Sequence, residues 1–319
     1  MSPPELPDAA AIDAAHRLIR PHVRRTPLLA AGSGLVAGVE PILKLELLQH
    51  TGSFKPRGAF TTALQLGAGP AGLVAASGGN HGAAVAHVAA SLGLAAEIFV
   101  PGVSSELKRR RIADLGATVH VVGDVYDDAQ AAADEHAAAT GALLVHPFDR
   151  PEVVAGQATL GRELVEDHPE LDDVLVAVGG GGLFAGVVAA LPPSIRVVPV
   201  EPVAIPSLAD AIVAGGPVDV PVAGIASDSL GARRIGRYAH GAASRPNVDP
   251  VLHVSDEQIV AAQRLLWDRC RIMSEPGGAT AMAGLLAEPD RFAGRRVAVI
   301  VCGGNVDPAA FPGAAAPAG

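Results

Sequence analysis

The chain has 319 residues, 49% hydrophobic and 18% charged, enough apolar material for one long domain or two short ones, which excludes intrinsic disorder. Only 3% are aromatic, so Ala, Val, Leu and Ile must fill the core, as they do in buried parallel strands covered by alanine-rich helices; an α/β class is predicted. A formal charge of −9 with no basic block excludes nucleic acid as a partner.

The first ten residues, MSPPELPDAA, contain neither a basic nor an apolar run, so no cleaved secretion signal is expected and a cytoplasmic location is the default. The two cysteines, Cys270 and Cys302, cannot build a disulfide framework and fit a reducing compartment. Residues 51–59 read TGSFKPRGA, which sets Lys55 among small, turn-forming and apolar neighbours rather than on a charged face. A lysine whose ammonium is desolvated in this way becomes a nucleophile or a base. A solvated surface charge is the plain alternative.

A strand at 73–77 then ends in Ser77-Gly78-Gly79-Asn80-His81-Gly82. Consecutive backbone donors there suit a carboxylate, and an Asn amide can bond a phenolic oxygen; without context the segment is a turn before a helix. A helix at 83–92, a strand at 96–100, a helix at 105–115, a strand at 118–122 and a helix at 126–140 continue in βαβ rhythm. This block is compact enough to form a small domain. From 143 onward the rhythm repeats in a larger set.

The apolar stretch 174–195 has spanning length, yet Gly179, Gly180, Gly181, Gly182, Gly186 and Pro192-Pro193 argue against a membrane helix. It reads instead as a strand, a glycine turn and a helix-compatible run at 183–191. Amides of such a loop, aligned with a helix N-terminus, bind an anion, most often phosphate; a tight turn without a ligand is the alternative. Gly180, Gly182 and Ala185 also satisfy G-x-G-x-x-A, and Glu201 closes the next strand about twenty residues on. A nicotinamide-dependent oxidoreductase is therefore the rival reading. It leaves Lys55 and the asparagine loop without a role. A last strand at 297–302 runs into Cys302-Gly303-Gly304-Asn305, and the tail after Phe311 is expected to fray. The histidines, among them His16, His22, His50, His87, His120, His136, His146 and His253, show no ligand spacing, and no G-x-S-x-G occurs.

In order and spacing these segments resemble the fold type II family of pyridoxal-phosphate enzymes, tryptophan synthase β-like, in its threonine/serine dehydratase and serine racemase branch. The likeness begins at Val23-Arg24-Arg25-Thr26-Pro27-Leu28 and Lys44-Leu45-Glu46. It runs through 51–59, the asparagine loop and the four glycines, then through Glu275-Pro276-Gly277-Gly278-Ala279 to Cys302-Gly303-Gly304-Asn305. It implies two α/β domains with open, mostly parallel sheets flanked by helices: a large cofactor-binding domain of residues 1–68 and 144–319, and a small mobile one of 69–143.

By the same resemblance the cofactor is pyridoxal 5'-phosphate, with Lys55 holding its aldehyde as an imine and later removing the substrate Cα proton. Gly179, Gly180, Gly181, Gly182 and Leu183 would cradle the phosphate and Asn80 would bond the 3-hydroxyl. Phe54 would pack beside the ring, Glu275 would lie near it, and Cys302 would stand next to the pyridine nitrogen. Ser77, Gly78, Gly79, Asn80 and His81 would receive the substrate carboxylate. A neutral thiol at Cys302 does not hold the nitrogen protonated, which weakens the electron sink and favours prompt β-elimination.

Two departures refine the expectation. Serine racemases carry a serine where this chain has Gly78, and two-base racemisation needs a proton donor on each face, so elimination should dominate. Many relatives bind a divalent cation through a Glu closing a strand and an Asp six residues beyond; here Glu201 is followed by Pro206 and Ser207, Asp210 is a weak substitute, and no metal is expected. The implied activity is deamination of a β-hydroxy amino acid, threonine or serine, to a 2-oxo acid and ammonia. The alternatives are serine racemase and hydroxyaspartate dehydratase. Residues 222–236 should face the substrate. The lack of a C-terminal regulatory module suits a catabolic form, and a homodimer without membrane partners is implied by analogy.

Overall fold

The computed structural model describes residues 3–32 and 34–312. Beyond Phe311 only Pro312 is among them, so the expected fraying of the tail lies outside the described residues. The strands are β1 (Leu28–Ala30), β2 (Ile42–Lys44), β3 (Leu73–Ala76), β4 (Ala96–Val100), β5 (Thr118–Val121), β6 (Leu143–Leu144), β7 (Asp173–Ala177), β8 (Arg196–Pro202), β9 (Leu252–Val254) and β10 (Val297–Ile300). They form a six-stranded sheet in the order β1-β2-β10-β7-β8-β9 and a four-stranded sheet in the order β5-β4-β3-β6. All pairings are parallel except that of β1 with β2.

The helices are α1 (Ala9–Ile19), α2 (Lys55–Leu66), α3 (Asn80–Leu92), α4 (Glu106–Asp114), α5 (Tyr126–Thr140), α6 (Pro151–Asp167), α7 (Gly182–Ala190), α8 (Ser207–Ala214), α9 (Ser227–Leu230), α10 (Arg237–Ala242), α11 (Asp256–Cys270) and α12 (Pro276–Ala287). Central strands of the large sheet are buried on both faces, which is why β7 from Val174 onward and β10 read as unbroken apolar runs rather than alternating ones. In the small sheet the period of two separates the faces. Leu73, Ala75, Ile98 and Val100 pack on α3, while Val74, Ala76 and Phe99 pack on Ala129 and Ala133 of α5.

Two elements depart from expectation. β6 pairs with β3 in parallel, Val74 opposite Leu144, so the small sheet extends one residue past the expected limit at 143. The helix expected from 83 begins at Asn80, because Gly79 serves as its N-cap and Asn80, His81 and Gly82 wind as its first turn. The apolar stretch 174–195 resolves into β7, the glycine turn and α7, and among the described residues no helix is long and apolar enough to cross a membrane. Helix α2 crosses α6 closely at two glycines: a Cβ on Gly156 would come within 2.7 Å of the Gly58 Cα. This contact sets the position of Lys55, the first residue of α2.

Candidate active site

The segment before Lys55 is pinned to the end of the last strand. Phe54 donates its N–H to the Cys302 carbonyl at 3.1 Å, and Ser53 bridges to Gly303. Lys55 therefore stands at the C-terminal end of β10, where parallel α/β sheets place their ligands. Its amine donates to the Pro147 carbonyl at 2.9 Å and lies 5.1 Å from the centre of the Phe54 ring. Part of the side chain borders a cavity of about 520 Å³. Burial pulls the amine down to about 8, so a useful fraction is the free base near neutral pH.

Ser77, Gly78, Gly79, Asn80, His81 and Gly180 border the same cavity, as do Ser227, Asp228, Ser229, Leu230 and Gly231 from the segment expected to face substrate. Asn80 ties the site together. Its amide donates to Glu275 Oε1 at 2.6 Å, its oxygen accepts from Asn305 Nδ2 at 2.5 Å, and Asn305 also donates to the Thr51 carbonyl at 2.8 Å. One chain of polar contacts thus joins four of the segments singled out in the sequence. Glu275 is only 6% exposed, and burial pushes its carboxyl up to about 7. Cys302 is buried with its thiol pointing to the Gly277 carbonyl at 3.4 Å, and burial raises its pKa, which keeps it neutral.

His81 contributes differently from its neighbours. Its Nε2 bonds the Val145 carbonyl at 2.7 Å, and burial lowers the ring to about 3, so the imidazole is neutral and already engaged. Only its backbone amide is left for a substrate. His146 plays an architectural part. Its Nδ1 accepts from the amides of Phe148 at 3.2 Å and Asp149 at 2.9 Å, shaping the turn that presents Pro147 to Lys55 and Phe148 to the glycines.

The glycines of the loop are closely packed, two of them against Phe148. A Cβ on Gly179 would come within 2.8 Å of the Leu230 backbone, one on Gly180 would overlap the Phe148 ring, and one on Gly182 would lie 2.8 Å from the Phe148 carbonyl oxygen. Gly181 has φ 85°, a left-handed conformation that costs side-chain-bearing residues roughly 1–2 kcal/mol. Close packing therefore accounts for the four glycines even before any ligand is considered. Asp8, Ser105 and Ser255 cap α1, α4 and α11, whereas α3 and α7, like α2, α6, α10 and α12, begin with no capping side chain; what sets α3 and α7 apart is that Asn80 and Gly180, at or beside their starts, border the cavity with Lys55. Amides of the first turn of α7, including buried Leu183, are left for an anion. Gly180→Ala should cost about 1–3 kcal/mol by overpacking Phe148. Denaturant unfolding of the variant measures that loss directly.

Behind Lys55 a fully buried ionic network holds α2 in place. Arg57 bonds Glu46 at 2.8 Å and Glu163 at 2.8 Å, Lys44 bonds Glu163 at 2.6 Å, and the Thr26 hydroxyl donates to Glu46. Two cations balance two carboxylates. Burial opposes charge on Arg57, but Glu46 and Glu163 outweigh it and raise the guanidinium above its ordinary pKa. The motif residues Thr26, Lys44 and Glu46 thus belong to the support of the site.

Glu201 settles the dinucleotide alternative. It is fully buried, and its carboxyl accepts from the amides of Leu208 at 2.6 Å and Ala209 at 3.1 Å at the start of α8. An acid committed in this way cannot reach ribose hydroxyls. Sequence reasoning gave no role to Asn305, Glu163, the Phe148 turn or the wall residues Ser104, Lys108 and Tyr126. The glycine pair before Asn305 was the one available signal.

A half-buried lysine with a lowered pKa, the start of α3 and Gly180 of the glycine loop border one cavity, a setting that suits a phosphate ester that also carries an aldehyde and so the class of enzymes working through pyridoxal phosphate. The chain belongs to the family described as pyridoxal-phosphate dependent enzyme, whose pattern matches residues 19–303. It is 38% identical over 319 residues to phenylserine dehydratase of Ralstonia pickettii, covering 96% of this chain and 95% of the relative. It is 36% identical over 303 residues to L-threonine ammonia-lyase of Thermotoga maritima, covering 93% and 75%. The solved T.th. threonine deaminase superposes with a TM-score of 0.88 at 36% identity, covering 94% of this chain and 99% of that one.

Proposed function

We propose that this chain is a pyridoxal-phosphate-dependent ammonia-lyase that deaminates a β-hydroxy amino acid, threonine or serine, to a 2-oxo acid and ammonia. The observation that carries the reading is the Lys55 amine, lowered to about 8 and bordering the cavity that Asn80 and Gly180 share. Pyridoxal phosphate, when bound, supplies the electron sink that makes an amino-acid Cα proton removable. Its phosphate would be held by the amides of 179–183, its ring by Phe54, Asn80 and Cys302, with Glu275 beside it, and its aldehyde by Lys55. Lys55 takes the Cα proton as free base. The amides of 77–81 hold the substrate carboxylate, aligning the Cα–H bond with the amine. Loss of water across Cα–Cβ and hydrolysis of the freed enamine complete the reaction, so threonine gives 2-oxobutyrate and serine gives pyruvate.

A neutral Cys302 thiol would leave the pyridine nitrogen of a bound cofactor unprotonated, which would favour elimination over slower outcomes. Gly78 offers no hydroxyl, and the space a side chain there would need is filled by Ser104, whose Oγ lies 2.5 Å from the site of a Cβ. We therefore expect 2-oxo acid release from L-serine to outrun formation of D-serine by about a hundredfold or more, the share that one missing acid-base group commands. The test is a panel of L- and D-threonine, serine, phenylserine and 3-hydroxyaspartate, scored for oxo acid and for inversion. Faster inversion than elimination on serine defeats this reading of Gly78, and loss of that inversion in Ser104→Ala would identify the hydroxyl responsible.

The small unit, residues 69–143, is proposed to move over the bound ring. The ion pairs Lys108–Asp228 at 2.8 Å and Arg233–Asp127 at 3.4 Å, which join residues on opposite walls of the cavity, support that reading. A cytoplasmic homodimer is proposed as well. Both cysteines are free, in keeping with a reducing compartment, and sedimentation measures the oligomeric state.

A further inference from the structure

The glycine loop is tied from behind by a second set of contacts. The Ser207 hydroxyl lies 2.9 Å from the carbonyl oxygen of Gly179, the first loop residue, and 3.0 Å from Glu201 Oε1. Glu201 Oε1 also accepts the Leu208 amide at 2.6 Å, and Oε2 accepts the Ala209 amide at 3.1 Å. Both side chains are completely buried. A single hydroxyl therefore joins the end of β8 and the start of α8 to the loop whose amides are left for phosphate.

The resemblance implies a divalent-cation site at Glu201, with an aspartate where this chain has Ser207. The residues present here do not fit such an ion. A hard cation of this kind takes six or more oxygen ligands. Here Glu201 is the single carboxylate, and its oxygens are already engaged by two amides and the Ser207 hydroxyl. Asp210 is exposed on α8, and its backbone continues the helix by bonding Pro206.

We propose that Glu201 and Ser207 form a hydrogen-bonded strut that positions the phosphate loop in place of a divalent cation, so that cofactor retention and fold stability in this protein are independent of such cations. Ser207 is a positioning residue: it acts on the cofactor through the Gly179 carbonyl. The effect on cofactor retention rests on the function proposed above, whereas the indifference to cations does not.

The test uses purified holoprotein and the same protein stripped of cofactor. Thermal unfolding of both forms, and cofactor retained by the holoprotein after gel filtration, are measured in EDTA and in millimolar Mg²⁺, Ca²⁺ or Mn²⁺. The expected result is no change in either readout. Ser207→Ala should weaken cofactor binding roughly three- to tenfold, the share of one buried hydrogen bond, and Ser207→Thr, which keeps the hydroxyl, should restore it. Ser207→Asp should acquire a rise in Tm with Mg²⁺ that the wild type lacks. A wild-type protein that loses Tm or cofactor in EDTA and regains it with a divalent cation overturns the proposal, as does unchanged cofactor affinity in Ser207→Ala. If no pyridoxal phosphate binds at all, the proposed function fails. The response of the cofactor-free chain to EDTA still decides the cation half.

Discussion

Lys55→Ala is expected to abolish deamination of threonine and serine, with a loss of at least about 10⁴-fold, because one group serves as both the covalent anchor and the base. Borohydride reduction of the wild-type holoprotein should fix the cofactor onto Lys55, and mass spectrometry of the peptide containing 51–59 should find it there. The variant should show no such adduct. An unmodified Lys55 in the reduced protein, or full turnover by Lys55→Ala, ends the proposed function.

The amine also predicts a pH profile. Burial lowers it to about 8, and only the unprotonated amine attacks an aldehyde. Trapping of a small aldehyde by cofactor-free protein at position 55 should therefore rise with pH and reach half its maximum near 8, well below an ordinary lysine near 10.5. A midpoint near 10 would mean that the site does not desolvate the amine.

The second large effect concerns stability. Glu163→Ala or Arg57→Ala leaves an uncompensated charge at a site with no access to water, and each should destabilise the protein by about 3–5 kcal/mol. Glu163 and Arg57 touch nothing in the cavity; they hold α2 through Thr159, Glu46 and Lys44. Denaturant unfolding measures the loss directly, and a change under about 1 kcal/mol would show that the network relaxes around the vacancy. Acid should act on the same network. Burial works to raise the Glu163 pKa, but Arg57 and Lys44 outweigh it and hold the carboxylate below its ordinary range. A depressed folded-state pKa contributes stability that is complete above the unfolded value near 4.5 and disappears as pH falls through the folded one. Wild-type stability should therefore fall more steeply below pH 4.5 than that of Glu163→Gln.

The local grammar of the chain is legible to a considerable depth. Apolar runs such as 174–178 and 297–301 announce strands buried on both faces, because in a parallel sheet covered by helices no position along the strand meets water. The helices at 126–140 and 183–191 follow from their glycine and turn boundaries, and the structure places them at Tyr126–Thr140 and Gly182–Ala190. At the asparagine loop the helix starts three residues earlier than its pattern suggests. A glycine before a polar residue reads as turn, and only docking against β3 and β4 shows that Asn80 already belongs to the helix.

By itself the sequence determined the α/β class, six of its strands and the unusual setting of Lys55 among small and apolar neighbours, since burial and periodicity are properties of neighbours along the chain. Tertiary structure alone decided the partners. Asn80 meets Asn305 across 225 positions, Lys44 meets Glu163 across 119, and Glu201, which matched a ribose-binding acid in spacing, turns inward to cap α8. Which polar group faces which depends on how two sheets and their helices pack, and a one-dimensional pattern records that a side chain is buried but not what it is buried against.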